Sequence, residues 1–348
     1  MKRIMFFGSV LILATLPFWW SDPYILSVVA STGIFIIAAI SLNLLLGFTG
    51  QLSLGHVAFF GIGAYTTALM SLGFDLTLPG MSEPWVVEAK PVWLSFIGGI
   101  LAASFAGFLL GKLAFRVRGA YFVIVTISFA QVMRMVALNW VDLTEGPMAL
   151  NSIPPLTYWH PTEGFIDITS KAATYWLVLT MAVLAYLFVA AIVKSRVGRA
   201  MIALRENETL ARSLGIRVTR YLGIAAVASA GIAGAAGGLY AHTVRIIDPD
   251  VFLFMFTITM VIMVIIGGKG TLAGPVVGGL LFGLLPEVLR GMLAPEVQWM
   301  LYGILMIVVL IFMPKGIVPS LGNVFKRYVK SSSFQKNTLA TKLKGDAA

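Results

Sequence analysis

Cysteine is absent from all 348 residues, which excludes disulfides, thiol nucleophiles and thiolate metal sites. Charge is nearly as scarce. Asp, Glu, Lys and Arg together make up 11% of the chain, where a soluble domain carries about a quarter. Histidine occurs only at positions 56, 160 and 242, too scattered to indicate a metal site, and an isolated His near a helix end is ordinarily satisfied by one partner. No nucleotide-binding motif is present. The GKGT at 268–271 lacks the full GxxxxGK[ST] spacing and follows a long apolar run, so energy from ATP must enter through another chain.

Apolar side chains fill the space these absences leave. They account for 59% of the residues, with a mean hydropathy of +0.92, which defines a polytopic membrane protein. The start, Met-Lys-Arg followed by apolar residues from Ile4 to Trp20, has the form of an export signal. No small-residue cleavage site follows Phe18, Trp19, Trp20 and Ser21, so this run reads as a retained first span. Spans of about 20 apolar residues are expected at 4–20, 25–47, 52–72, 92–111, 119–139, 174–193, 221–242, 251–267, 274–292 and 298–313. The fold class is therefore all-α, with about ten transmembrane helices. The pair 251–267 and 274–292, separated by only a few residues, leaves room for a broken or re-entrant helix, which requires protein or a water-filled path around its backbone.

Charge orients the chain. With Lys2 and Arg3 cytoplasmic, ten spans also place 112–118, 194–220, 268–273 and 314–348 on that side. These segments together hold 20 of the 25 Lys and Arg residues. Both termini are thus expected in the cytoplasm, and the net charge of +10 is mainly a topology signal that gives nucleic acid no part. Residues 1–320 read as the membrane domain and 321–348 as a flexible basic tail. The larger external connections are 73–91 and 140–173. The second is rich in Pro and Gly and contains a short candidate strand at Phe165–Ile168.

The interval 194–220, KSRVGRAMIALRENETLARSLGIRVTR, is the one long, charged, helix-compatible stretch between spans, and it carries seven of the Lys and Arg residues. Ala200, Ala203, Leu204, Ala211 and Leu214 recur at helical spacing and form an apolar stripe. Arg199, Arg205, Glu206, Glu208 and Arg212 take the other faces, and Gly198 and Gly215 bracket the whole. Periodicity alone leaves three readings open: contact with lipid headgroups, docking in a groove of another protein, or a basic loop that only fixes topology.

Two glycine-rich intervals stand apart, LGFTGQLSLGHVAFFGIGAY at 46–65 and IGGKGTLAGPVVGGLLFGLL at 266–285. Their small residues, Gly61 and Gly278 among them, suit close helix packing in the first place, with a helix broken beside a substrate path as the alternative. Asn43, Gln51, His56, Gln131, Arg134, Asn139 and Glu287 lie in or beside apolar runs and must face other helices or water. Arg134, near the outer end of its span, reads as a snorkelling side chain. Glu287 reads as a helix-local partner of Arg290.

The segment SLNLLLGFTGQLSLGHVAFFGIGAY at 41–65 closely resembles the first signature of the branched-chain amino acid permease subunits of bacterial ABC importers, of the LivM type. The resemblance continues in order through FRVRGAYFVIVTISFAQVMR (115–134), DLTEGPMAL (142–150), GRAMIALRENETLARSLGI (198–216) and IGGKGTLAGPVVGG (266–279), and so covers most of the chain. It implies a non-enzymatic permease in the bacterial inner membrane that moves leucine, isoleucine or valine inward. The implied partners are a homologous second permease, two ATP-binding cassette ATPases and a periplasmic substrate-binding protein. The chain itself is implied to bind no cofactor and to have no catalytic residue or metal site. The interval 198–216 then resembles the coupling helix that docks on an ATPase, with Arg205, Asn207, Glu208, Ala211 and Gly215 in its motif. Thr209 or Leu210 replaces the second alanine of the general importer pattern. Relatives with similar signatures move urea or short amides, and an ion-coupled secondary transporter is the alternative of a different class.

Overall fold

A computed structural model describes residues 2–19, 22–76, 85–115, 117, 119–160, 164–289 and 295–321. The expectations for the tail beyond Leu321, and for the pairing of Glu287 with Arg290, lie outside the described residues and side chains.

Each expected span contains a helix among the described residues, although 52–56 and 251–253 lie outside theirs. Lys2–Trp19 forms α1, Pro23–Thr49 α2 and Val57–Leu72 α3. After an external hairpin of β1 (Phe74–Leu76) and β2 (Trp85–Val87), Val92–Ala114 forms α4 and Ala120–Asn139 forms α5. The second external connection holds the single turn α6 (Val141–Thr144), a 3-10 turn at Gly146–Met148, and an antiparallel hairpin of β3 (Thr157–His160) and β4 (Gly164–Asp167). The candidate strand at 165–168 is therefore β4, displaced by one residue. Helix α7 (Lys171–Lys194) leads into two short helices, α8 (Arg196–Glu206) and α9 (Glu208–Ser213). The chain continues with α10 (Val218–Val244), a 3-10 turn at Pro249–Phe252, α11 (Phe254–Gly267), α12 (Gly274–Leu289) and α13 (Pro295–Phe312).

Among the described helices, α2, α4, α5, α7 and α10 are long and apolar enough to cross a membrane individually, while α3, α11 and α12 are shorter apolar helices. Helix α2 is the hub. Asp22 caps its start by accepting from the Tyr24 amide at 2.8 Å, Pro23 occupies the first turn, and Gly50, in the left-handed region at φ 76°, ends it. From Ala30 to Thr49 it is buried on nearly all sides, as expected of a helix that is hydrophobic all round, and it packs against α7, α10, α11 and α12. Helices α3, α4 and α10 form a second tight group. A side chain at Gly237 would strike the Phe60 carbonyl, and one at Gly63 would strike the Gly234 backbone. Small residues let these backbones meet where association relies on contact packing and not on exclusion of water.

The external connection 140–173 is anchored to this core. Leu150 and Ile247 exchange backbone hydrogen bonds at 2.8 and 3.0 Å, and the Trp93 indole donates to the Thr157 carbonyl at 2.8 Å.

Candidate functional site

Among the described residues, parts of the segments that the charge rule assigns to the cytoplasm meet: Phe115 packs against the cluster of Leu204, Arg205 lies beside Gly270, and Lys315 and Pro319 lie beside Gly268. Helix α8 starts at Ser195, whose hydroxyl accepts from the Val197 amide at 3.1 Å. It buries Ala200, Met201 and Leu204. Arg205, at its far end, donates through Nη1 to the Gly47 carbonyl of α2 at 2.7 Å and pairs with Glu206 alongside. One turn back in α2, the Asn43 side chain holds the loop between α11 and α12 at two points. Its Oδ1 accepts from the Gly270 amide at 3.0 Å and its Nδ2 donates to the Thr271 carbonyl at 2.8 Å. Thr271, the threonine of the GKGT stretch, is itself used as a cap, accepting from the Gly274 amide at 3.0 Å at the start of α12. Arg205, the end of α2 and the α11–α12 loop thus form one connected junction.

The single stripe expected over 200–214 is interrupted. Asn207 adopts an extended conformation (φ −158°, ψ 104°) and its side chain caps a separate helix by accepting from the Leu210 amide at 2.9 Å. Ala200, Leu204 and Ala211 are buried as the stripe requires, with Leu204 and Ala211 in a cluster that includes Val218 and Leu222 at the start of α10. Leu214 is 75% exposed, however, and with Leu210 it forms an apolar tip pointing away from the bundle. Glu208 and Arg212 make an (i, i+4) ion pair at 3.2 Å on the exposed side. Gly215 ends the element at φ 83°, where a side chain would be strained.

A second polar site lies inside the bundle. Residues 51–55 do not continue as helix. They run back into the protein, so that α3 starts beside Ser41, eight residues or about 12 Å from the cytoplasmic end of α2. A backbone broken at this depth needs internal partners, and threonine hydroxyls supply them. Leu54 N–H donates to Thr126 Oγ1 of α5 at 3.3 Å, and Val57 N–H donates to Thr257 Oγ1 of α11 at 3.1 Å. His56 is fully buried with Nε2 at 2.7 Å from Ser41 Oγ. The Ser41 oxygen also lies 2.6 Å from the Ala38 carbonyl, and Ser229 of α10 donates to the Ser41 carbonyl at 2.7 Å.

The third site is a descent from the opposite face. After α10 the chain dips beside α3, where Phe252 stacks on Tyr65 with centroids 5.7 Å apart and fills the space left at Gly61. Asp250 on this descent pairs with Arg134 of α5 at 2.8 Å. At the outer end of α5, where a snorkelling side chain is expected, Arg134 thus meets a carboxylate from another segment whose side chain is 57% exposed.

The sequence-selected residues therefore belong to different levels. Arg205, Asn207, Glu208, Ala211 and Gly215 share the cytoplasmic element, although Ala211 packs inward and Arg205 reaches the bundle. Asn43 joins the cytoplasmic junction, Gln51 is half-buried at the entry to the broken segment, and His56 sits at its end. Gly61 meets Phe252, Gln131 lies half-buried one turn below Arg134, and Gly278 packs against the Met263 carbonyl within the α11–α12 hairpin. Ser41, Thr126, Ser229, Thr257 and Asp250 were not singled out. The only sequence signal for the hydroxyls was their presence inside apolar runs.

Broken helices meeting at membrane depth, a bundle closed by small residues and a charged cytoplasmic element tied to the span ends define a multi-pass membrane transport protein. The family described as the permease component of branched-chain amino acid transport systems matches residues 24–310, and the chain belongs to it. The high-affinity branched-chain amino acid transport system permease protein LivM of Escherichia coli strain K12 is 32% identical over 91% of this chain and 75% of the relative. LivH of the same organism, named as a permease protein of the same kind of system, is 30% identical over 82% of this chain and 91% of its own length. A probable LivM permease of Methanocaldococcus jannaschii is 24% identical, again over 82% of this chain. No solved structure gives a significant match. Members of this family are transport subunits without catalytic activity.

Proposed function

We propose that this chain is the membrane permease of an ATP-driven importer for leucine, isoleucine and valine in the bacterial inner membrane. It works with a homologous second permease, two ATPase subunits and a periplasmic binding protein. The observation that carries the mechanism is the reach of Arg205 from the cytoplasmic element to the end of α2, 2.7 Å from the Gly47 carbonyl. An ATPase bound to the exposed side of α8 and α9, with Leu210 and Leu214 in its groove, moves Arg205 and with it the end of α2. Through Asn43 the same movement reaches the loop between α11 and α12. Both hairpins that contain a broken or shortened helix are therefore addressed from one point. The path changes exposure when these short helices shift relative to the small-residue group of α3, α4 and α10. On the outer face, the hairpins β1–β2 and β3–β4 with the turns at 141–148 offer Trp85, Met148 and Phe165 as exposed contacts for the binding protein.

The test is radiolabelled leucine uptake into vesicles containing the whole assembly, with ATP or an ion gradient supplied separately. ATP-dependent uptake that disappears when this chain is omitted supports the proposal. Uptake driven by an ion gradient without the ATPases overturns it.

A further inference from the structure

Arg134 is a charged group inside a span, and Asp250 reaches it from the descent after α10. Arg134 lies five residues inside the outer end of α5, about 7.5 Å along a helix whose 20 residues match a hydrocarbon layer about 30 Å thick. The pair is not sealed in the core, since the side chains are 26% and 57% exposed. A half-exposed carboxylate paired with a charge inside a span does not suit lipid, so this face of α5 borders water or another protein. Gln131, one turn below on the same stripe of α5, extends that polar border.

The pair is also incomplete. Asp250 takes one contact, from Nη2, while Nε of Arg134 is buried and has no partner among the described residues. Once Asp250 moves aside and uncovers Nε, a carboxylate in its place would satisfy Nε and Nη2 together. Next to it, Asp248 accepts from the Asp250 amide at 3.1 Å, and both aspartates are close enough to act electrostatically on the Tyr65 phenol. That phenol oxygen is likewise buried without a partner among the described residues. The Tyr65 and Phe252 rings stack beside it as an apolar wall.

We infer that Arg134 and Asp250, with Asp248 and Tyr65 beside them, form a station for a zwitterionic α-amino acid in the outer half of the path. The substrate carboxylate takes Nε and Nη2 of Arg134, and its ammonium takes the carboxylate that Asp250 withdraws. The ion pair stands in for water in the empty state and exchanges for the two substrate charges in the loaded one. An uncharged substrate such as urea has no use for this arrangement. The inference rests on reading the chain as an amino acid permease.

The test uses the assembled transporter in vesicles with leucine-loaded binding protein, reading leucine uptake per ATP hydrolysed. Arg134→Gln and Asp250→Asn are expected to lower that ratio by about tenfold or more, as loss of a charged contact implies, while subunit assembly and stimulated ATP hydrolysis stay within about twofold. The double variant removes both charges and leaves no unpaired ion to unfold the site, so it should assemble and show the same loss. Ratios within about twofold of wild type, in the singles or in an assembled double, overturn the inference and leave the importer reading intact. A wild-type assembly that moves urea and not leucine overturns both.

Discussion

Arg205 Nη1 and the Gly47 carbonyl meet at 2.7 Å, so the cytoplasmic element holds the last turn of α2, a helix buried on nearly all sides over its inner half. The contact is charge-assisted and sits at a helix C-terminus, where a cation is favoured by the dipole. Removing it in Arg205→Ala should cost about 1.5–3 kcal/mol at the junction. The expected outcome is an assembly that forms and hydrolyses ATP but moves less leucine per ATP. Arg205→Lys should recover part of the loss. An unchanged transport ratio in Arg205→Ala would remove Arg205 from the coupling route.

The exposed tip of Leu210 and Leu214 makes a separate prediction about docking. Neither side chain supports the bundle, so Leu210→Asp and Leu214→Asp should insert normally into the membrane. Each should reduce co-purification of the ATPases severalfold. Asn207→Ala should weaken the same contact indirectly by about 1 kcal/mol, because α9 loses its cap. Pull-down from detergent at graded salt would measure all three. Full ATPase retention in both aspartate variants would show that the partner binds elsewhere.

Two glycines test the packing, and they should not respond equally. A methyl group at Gly278 meets the Met263 backbone carbonyl, which cannot withdraw without bending α11, whereas one at Gly61 meets the ring of Phe252. Gly278→Ala is therefore expected to lower the melting temperature and the yield of monodisperse protein more than Gly61→Ala. Leucine at either position should disrupt the fold. The reverse order by thermal shift in detergent would contradict the close contact in the α11–α12 hairpin.

Thr257 offers the most economical test of the broken helix. Thr257→Val keeps the shape and removes the acceptor for Val57 N–H, leaving a buried amide at a cost of about 1–3 kcal/mol. Thr257→Ser should restore most of the stability. Equal melting temperatures for the valine and serine variants would mean that the amide has another partner.

The helices were legible because span length and the exclusion of charge are written directly into an apolar run. The expected 119–139 is α5 at 120–139, and 92–111 is α4 extended by three residues. The break at Asn207 was also readable, since Asn before Glu-Thr-Leu carries a cap signal that a stripe of matching periodicity obscured. The Arg134–Asp250 pair was not readable, because 116 residues separate partners that only the packing of the descent against α5 brings together. Asn43 stood out as a polar group in an apolar run, but its use as a two-point tie to Gly270 and Thr271 depends on the same kind of distant contact. The external hairpin β1–β2 escaped notice for a different reason: three-residue strands leave too short an alternation to register.

At the point where α3 and α11 touch, one amide hydrogen is held by one hydroxyl, Val57 to Thr257. A continuous helix can shift through a membrane only by dragging its whole length past packed neighbours. Two short rods that meet through this hydrogen bond and the stacked rings of Phe60 and Phe256 can slip against each other locally, with a water or another hydroxyl taking the amide in passing. In the proposed transport cycle the moving parts thus lie in the interior, and the resistance to their motion includes a partner exchange at the buried Val57 amide as well as any rearrangement of the surface loops.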